Sequence, residues 1–370
     1  MKNVLLLGNG IDRAYDSHAV SWTKLLEKMT TVKDLPKHET LPFPLEVVLR
    51  TDDHVDEALV KYSRELYGSV EDEELRCVLA KVLGMGFDEI LTTNYDYALE
   101  GTAIYPKKVT DGWLRKSMKH TGEVARAENT YLLHTYQEAA MDGAADGGAG
   151  CAADGGAAGM ADCRAAGAAN AVVNRIWHIH GDARRPGSIV IGHYMYVNLV
   201  SKWREKLKDR AEKYKAWEQA RRLYEATAVS SGEKAVKHVP ASPEEPSGSW
   251  LDAFVLGNVY ILGLGMDFSE LDLWWLLNRK KREKVSHGKV VFYEPEPPES
   301  AAKYALLRAY GVEVRHLNYQ LLPFVESDSC DDDLKAVLDE QNREISAFNK
   351  TVYADFYKDA IKDIEIEMKG

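Results

Sequence analysis

Cysteine is scarce: the 370 residues hold four, Cys77, Cys151, Cys163 and Cys330, and none stands in a Cys-x-x-Cys pair. The usual cysteine zinc module is therefore excluded, and free thiols in a reducing cytosol fit best. Long apolar runs are missing too. "VLLL" at 4–7 is too short for a signal-peptide core and runs straight into "GNGID", while "FVLGNVYILGLG" at 254–265 is broken by glycines and Asn258. A cytoplasmic chain with no membrane partner is expected. Positive charge is not in excess either, since the formal net charge is −11 at pH 7. The chain as a whole repels polyanions, which argues against a nucleic-acid partner unless a local basic patch supplies one.

What is present points to an ordinary globular composition, 45% hydrophobic and 9% aromatic. Six short apolar runs end in glycine or a polar cluster and read as strands: 3–8, 89–94, 175–181, 259–265, 289–294 and 312–317. Helical patterns lie between them, among them "SWTKLLEKM", "VDEALVKYSRELYG", "EELRCVLAKVLGMG", "ELDLWWLLNRKKR" and "AAKYALLRAYG". Continuous apolar strands alternating with helices predict an α/β fold, a Rossmann-like doubly wound, mostly parallel sheet with helical insertions and a helical C-terminal tail.

The expected organisation is one domain over 1–325, followed by a helical extension over 326–370 that is acidic and carries no recognisable chemistry. Two insertions interrupt the domain. Residues 139–172 are almost entirely alanine, glycine and aspartate and read as a flexible surface segment. Residues 197–249 read as a helical insertion closed by a proline-serine loop. Its charged helix over 201–228 interleaves Lys and Arg with Trp203, Tyr214, Trp217 and Tyr224, a solvated amphipathic face in preference to a nucleic-acid surface.

In a doubly wound sheet ligands bind outside the carboxyl ends of the strands, so polar groups and glycines at those ends carry the most weight. Four stretches qualify. In "LLLGNGIDRAYD", Gly8 and Gly10 let the backbone approach a phosphate at a helix start, or form a plain strand-to-helix turn. Position 13 is Arg13, so the third glycine of the dehydrogenase fingerprint is missing and a nicotinamide dehydrogenase is disfavoured. In "LTTNYDYALE", Asp96 can cap the following helix and Thr92 and Thr93 can be strand residues, but capping leaves Asn94 unexplained at the strand's end. In "IWHIHGDARRPGSIVIGHYMY", alternation puts His178 and His180 on one face, and His180, beside Gly181 and Asp182, is a candidate general base. His193 is the weaker candidate, an anchor for its loop. In "YILGLGMDFSELDLWW", Gly263 and Gly265 leave room for a ligand, while Ser269 and Asp272 make a helix-start pattern whose role is capping. Downstream, Glu294 closes "VVFYE" and can accept hydrogen bonds from ribose hydroxyls.

In this order the four stretches resemble the sirtuin-like superfamily, "GNGID" standing for its glycine-rich loop, "TTNYD" for its Asn/Asp segment, "HIHGD" for its histidine motif and "GLGMDF" for its later glycine turn. The likeness spans about residues 3–325, and "GNGID" with "IGHYMY" is most similar to bacterial sirtuin-like and abortive-infection proteins. The resemblance implies that NAD+ is bound as substrate and cleaved at the nicotinamide-ribose bond. It implies that Gly8, Asn9, Gly10, Ile11 and Asp12 line the phosphates and nicotinamide ribose, and that Thr93, Asn94 and Asp96 hold the nicotinamide side. His180 would act at the ribose, Gly263, Gly265 and Met266 would meet phosphate and ribose, and Glu294 would lie near the adenosine. Two departures stand out. No paired cysteines can build the zinc module of the family's deacylases, and Asp12 occupies a position where those enzymes generally have serine.

The expectation is an NAD+ glycohydrolase using Asn94 and His180 and no metal, serving phage defence by NAD+ depletion. An NAD-dependent deacylase and a non-catalytic NAD+ or ADP-ribose sensor are the alternatives. The sensor would signal through a partner at the charged helix, and a homo-oligomer or partner protein is expected beside NAD+.

Overall fold

The computed structural model describes residues 1–15, 22–32, 41–51, 54–62, 72–101, 133–137, 173–183, 186–231, 249–283, 287–297, 301–325 and 332–370. The expected flexible segment at 139–172 lies outside the described residues. The strands are β1 (Asn3–Leu7), β2 (Glu89–Thr92), β3 (Leu133–Gln137), β4 (Val173–His178), β5 (Asn258–Leu262), β6 (Val290–Tyr293) and β7 (Val312–Arg315). Among the described residues the helices are α1 (Gly10–Tyr15), α2 (Trp22–Met29), α3 (Phe43–Thr51), α4 (Val55–Tyr62), α5 (Glu73–Gly84) and α6 (Ala98–Gly101). They continue with α7 (His193–Ser231), α8 (Trp250–Leu256), α9 (Leu271–Lys281), α10 (Ala301–Ala309) and α11 (Asp332–Lys369).

The seven strands form one sheet in the order β3-β4-β2-β1-β5-β6-β7. All neighbours pair parallel except β3, which runs antiparallel to β4 at the edge. From the central β1 the chain winds outward through β2 and β4, then returns to the other side of β1 for β5, β6 and β7. This is the order of doubly wound nucleotide-binding sheets, and its direction reverses between β1 and β5. A crevice for ligands is therefore expected beyond Leu7 and Leu262.

Burial explains why the strands are continuous apolar runs. Val4 and Leu6 of β1 face one core with α7, α8, α9 and α10, and Leu5 and Leu7 face the other with α1, α5, α6 and α11. A third core packs α2, α3 and α4 against Tyr95, Tyr97, Ala183, Ile189 and Ile191 in the loops after β2 and β4. The strands stop earlier than the apolar runs suggest, β5 at Leu262 and β4 at His178, because the following residues turn away into glycine and polar loops.

Two long helices, both expected as helices, pack against the sheet. α7 begins at His193, and its first half carries Tyr196, Leu199, Trp203 and Leu207 into the core, where Trp203 meets Trp250 edge to face at 5.2 Å. It is part of the sheet's cover. The side chains of Tyr214, Trp217 and Tyr224 lie outside the described residues. Likewise α11 buries Phe356, Tyr357, Ala360, Ile361 and Ile364 against the sheet and α1. No helix among the described residues is long and apolar enough to cross a membrane.

Candidate functional site

The two glycine loops at the reversal point interlock. Gly8 N–H donates to Leu262 O at 2.9 Å, and Gly10 N–H donates to Gly263 O at 2.7 Å. A Cβ on Gly8 would stand 2.5 Å from the Gly263 carbonyl oxygen, and one on Gly10 would stand 2.7 Å from the same atom and 2.8 Å from Tyr357 Oη. The room freed by these glycines is thus filled by the protein, which joins the β1 and β5 ends. Gly265 differs: it is exposed, with nothing within 4 Å of where its Cβ would be. Ile11 sends its side chain into the core, and Met266 is buried with φ 49°, a left-handed backbone rare outside glycine. Asn9 sits between Gly8 and Gly10 and is half-buried.

After β2 the polar groups divide their roles. Thr92 Oγ1 accepts the Asn94 amide at 3.1 Å, and buried Thr93 donates its amide to Leu7 O at 3.2 Å, tying the β2 and β1 ends together. Asp96 accepts the Ala98 amide at 3.0 Å as a helix cap, and burial lifts its carboxyl to about 6 against the pull of that amide and of His178. Asn94 donates from Nδ2 to Asp12 Oδ2 at 2.8 Å, and its own Oδ1 is buried with no hydrogen-bond partner. Asp12, whose carboxylate would repel a pyrophosphate, is thereby engaged by Asn94.

The two histidines do not share a face. His178, the last residue of β4, sets Nδ1 2.9 Å from Asn94 O and Nε2 2.7 Å from Glu100 Oε1, on the side where α6 packs. His180 lies past the strand's end, where the chain has begun to turn, and its Nε2 is 2.7 Å from Asp272 Oδ2 of α9 on the opposite side. Alternation fails because it applies only while the strand lasts. His180 is 1% exposed, yet its Nδ1 has no hydrogen-bond partner, nor does Asp272 Oδ1. Burial disfavours the charged ring, but the Asp272 carboxylate outweighs it and raises the pKa above the ordinary histidine value. Tyr196 meets the ring edge to face at 5.6 Å. Glu270, half-buried at the start of α9, has its carboxyl lifted to about 7 by burial, with His180 opposing and Asp272 and Asp267 adding.

Asp272 is the residue whose role the sequence concealed. The helix-start pattern assigns it to capping, but α9 has no side-chain cap, and Ser269 donates its amide to Asp267 instead. The pair of acids at 270 and 272, following directly on a strand-end glycine turn, was the available signal.

His178 carries a testable consequence. Burial would lower its pKa, but Glu100, aided by Asp182 and Asn94 O, holds it up at about 9 against 6.5 for the free side chain. A raised folded pKa gives stability that is complete below the unfolded value and lost as pH climbs through the folded one. Urea midpoints of the native chain are expected to fall between pH 6.5 and about 9. His178→Gln should flatten that slope, whatever its overall cost; equal slopes would remove His178 as the cause.

Glu294 closes β6. Its Oε2 accepts from Lys303 Nζ at 2.6 Å and Tyr304 Oη at 2.7 Å, and Lys303 also donates to Gly265 O at 3.1 Å. The open turn after β5 is thus tied to the end of β6. His193 is exposed at the start of α7. Among the described residues no cluster of three or more His, Cys, Asp or Glu side chains is arranged to hold a metal ion.

No protein-family model matches the chain, and no curated protein is significantly similar to it.

Proposed function

We propose that the chain is an NAD+ glycohydrolase whose site is the crevice at the carboxyl ends of β4, β2, β1, β5 and β6. The observation that carries this reading is a pair of buried polar atoms, His180 Nδ1 and Asn94 Oδ1, that have no partner within the protein and lie just past the carboxyl ends of the neighbouring strands β4 and β2, on one side of the reversal point. Buried unpaired polar atoms are costly, so they are kept where a ligand or water completes them.

The chemistry follows from their types. The bond from ribose C1′ to the nicotinamide nitrogen breaks, its electron pair leaving with neutral nicotinamide, and the ribose carries the developing positive charge. A water held by Asn94 Oδ1 adds to C1′ and passes a proton to His180 Nδ1. Asp272, bound to Nε2, fixes the tautomer that leaves the Nδ1 lone pair free and stabilises the imidazolium that results. The Asp12 carboxylate, oriented by Asn94, supplies negative charge on the same side. The products are nicotinamide and ADP-ribose, and the biological use is NAD+ depletion in defence against phage.

The test is incubation of the purified chain with NAD+ and measurement of free nicotinamide. Water is the expected acceptor, because none of Cys77, Cys151, Cys163 and Cys330 stands in the Cys-x-x-Cys pairs from which a zinc-supported wall of an acyl-lysine tunnel is built. Acetyl-lysine peptide should leave the rate unchanged and metal analysis should find no stoichiometric zinc. Bound zinc with peptide-dependent turnover would favour the deacylase.

A further inference from the structure

The C-terminal helix reaches the β1 end of the proposed site. α11 crosses α1, and Tyr15 Oη donates to Ala354 O at 2.7 Å. One helical turn along, Tyr357 is buried with its hydroxyl beside Gly10, and its ring stacks on Tyr353 at 5.8 Å with 28° between planes. Tyr353 is half-buried. Its hydroxyl is pushed up to about 12, by burial first and then by the Glu294 carboxylate, with Arg13 opposing, which sets the side chain within electrostatic reach of both.

The groups gathered at this rim are chemically diverse. Tyr353 offers an aromatic face braced by Tyr357, Glu294 a carboxylate, exposed Arg13 a guanidinium, and Gly265 open space, its carbonyl tied through Lys303 to Glu294. A base stacks on an aromatic ring, a ribose diol donates to a carboxylate, and a phosphate pairs with arginine. We propose that Tyr353 is the wall on which the adenine of the bound dinucleotide stacks, so that the C-terminal helix forms part of the substrate site. This rests on the NAD+ reading above and adds to it the half of the substrate that α11 recognises.

The test is titration of the full-length chain and its Tyr353→Leu variant with ADP-ribose, NAD+ and nicotinamide mononucleotide, which lacks the adenosine. Tyr353→Leu is expected to weaken ADP-ribose and NAD+ roughly tenfold or more, the usual loss when a base is deprived of its aromatic platform. Nicotinamide mononucleotide should bind as before. Unchanged ADP-ribose affinity, or an equal loss for all three ligands, overturns the proposal while the NAD+ reading stands. A wild-type chain that binds neither NAD+ nor ADP-ribose sinks both. Should Tyr353→Leu prove unstable by melting temperature, Tyr353→Trp keeps an aromatic face and is expected to match the wild type; a tenfold loss there also overturns the assignment.

Discussion

His180→Ala is expected to slow nicotinamide release from NAD+ on the order of a hundredfold or more, the typical cost of losing an acid-base group, and Asn94→Ala should do the same. Each variant also loses contacts, His180 its Asp272 bond and its edge-to-face packing on Tyr196 and Asn94 its bond to Asp12, so melting temperatures are measured beside the rates and the loss is read on folded protein. The pH profile gives an independent readout. A base must be neutral to act, so the acid limb of kcat/KM should lie above the ordinary histidine value, since Asp272 outweighs burial and raises the His180 pKa. Asp272→Asn removes that carboxylate and should move the limb to lower pH while also lowering the rate, because the tautomer is no longer enforced. If His180→Ala and Asn94→Ala both turn over NAD+ near the native rate, the site assignment fails even where hydrolysis is real.

The sheet was readable in the sequence because burial on both faces writes each parallel strand as an uninterrupted apolar run. The six runs correspond to β1, β2, β4, β5, β6 and β7, and the helices between them mark the sheet as parallel; the order of the strands is seen only in the structure. β3 was not readable: "LHTYQ" is short and mixed, and an edge strand needs no continuous apolar run. The loops after β2 and β4 were identified by their polarity, but polarity does not say which groups are spent locally. Of the residues at 92–96, Thr92, Thr93 and Asp96 satisfy backbone amides or tie strand ends, and the free acceptor is on Asn94. The His180 partner was hidden by distance, 92 residues away in the chain. A local capping pattern offered a competing account of Asp272, and short-range rules always favour the local one. In the C-terminal segment the stripe Tyr353, Phe356, Tyr357, Ala360, Ile361, Ile364 has helical spacing and was the available signal that the expected helical extension packs one face.

Gly181→Ala should be the most destabilising small substitution near the site. Gly181 has φ +83°, where a side chain is strained, and a Cβ there would lie 2.0 Å from Ser188 O and 2.3 Å from Ser188 C. These are backbone atoms, which cannot rotate aside as a flexible side chain can. The left-handed conformation costs about 1–2 kcal/mol and the forced overlap about 1–3 kcal/mol, so a loss of roughly 2–5 kcal/mol is expected. Gly187 in the same loop is the control: nothing stands within 4 Å of its Cβ position, and Gly187→Ala should change stability by no more than about 0.5 kcal/mol. Urea unfolding of the two variants at one pH measures the difference. The strain also has a functional reach, since Gly181 donates its amide to His178 O at 3.1 Å and Val190 donates to His180 O at 2.8 Å. Any shift of the Ser188 backbone that admits the methyl group must pull on the segment holding both histidines. Gly181→Ala is therefore expected to slow nicotinamide release even under conditions where it is fully folded, and Gly187→Ala is not. Equal stabilities for the two variants would mean that the loop does not fold back over Gly181.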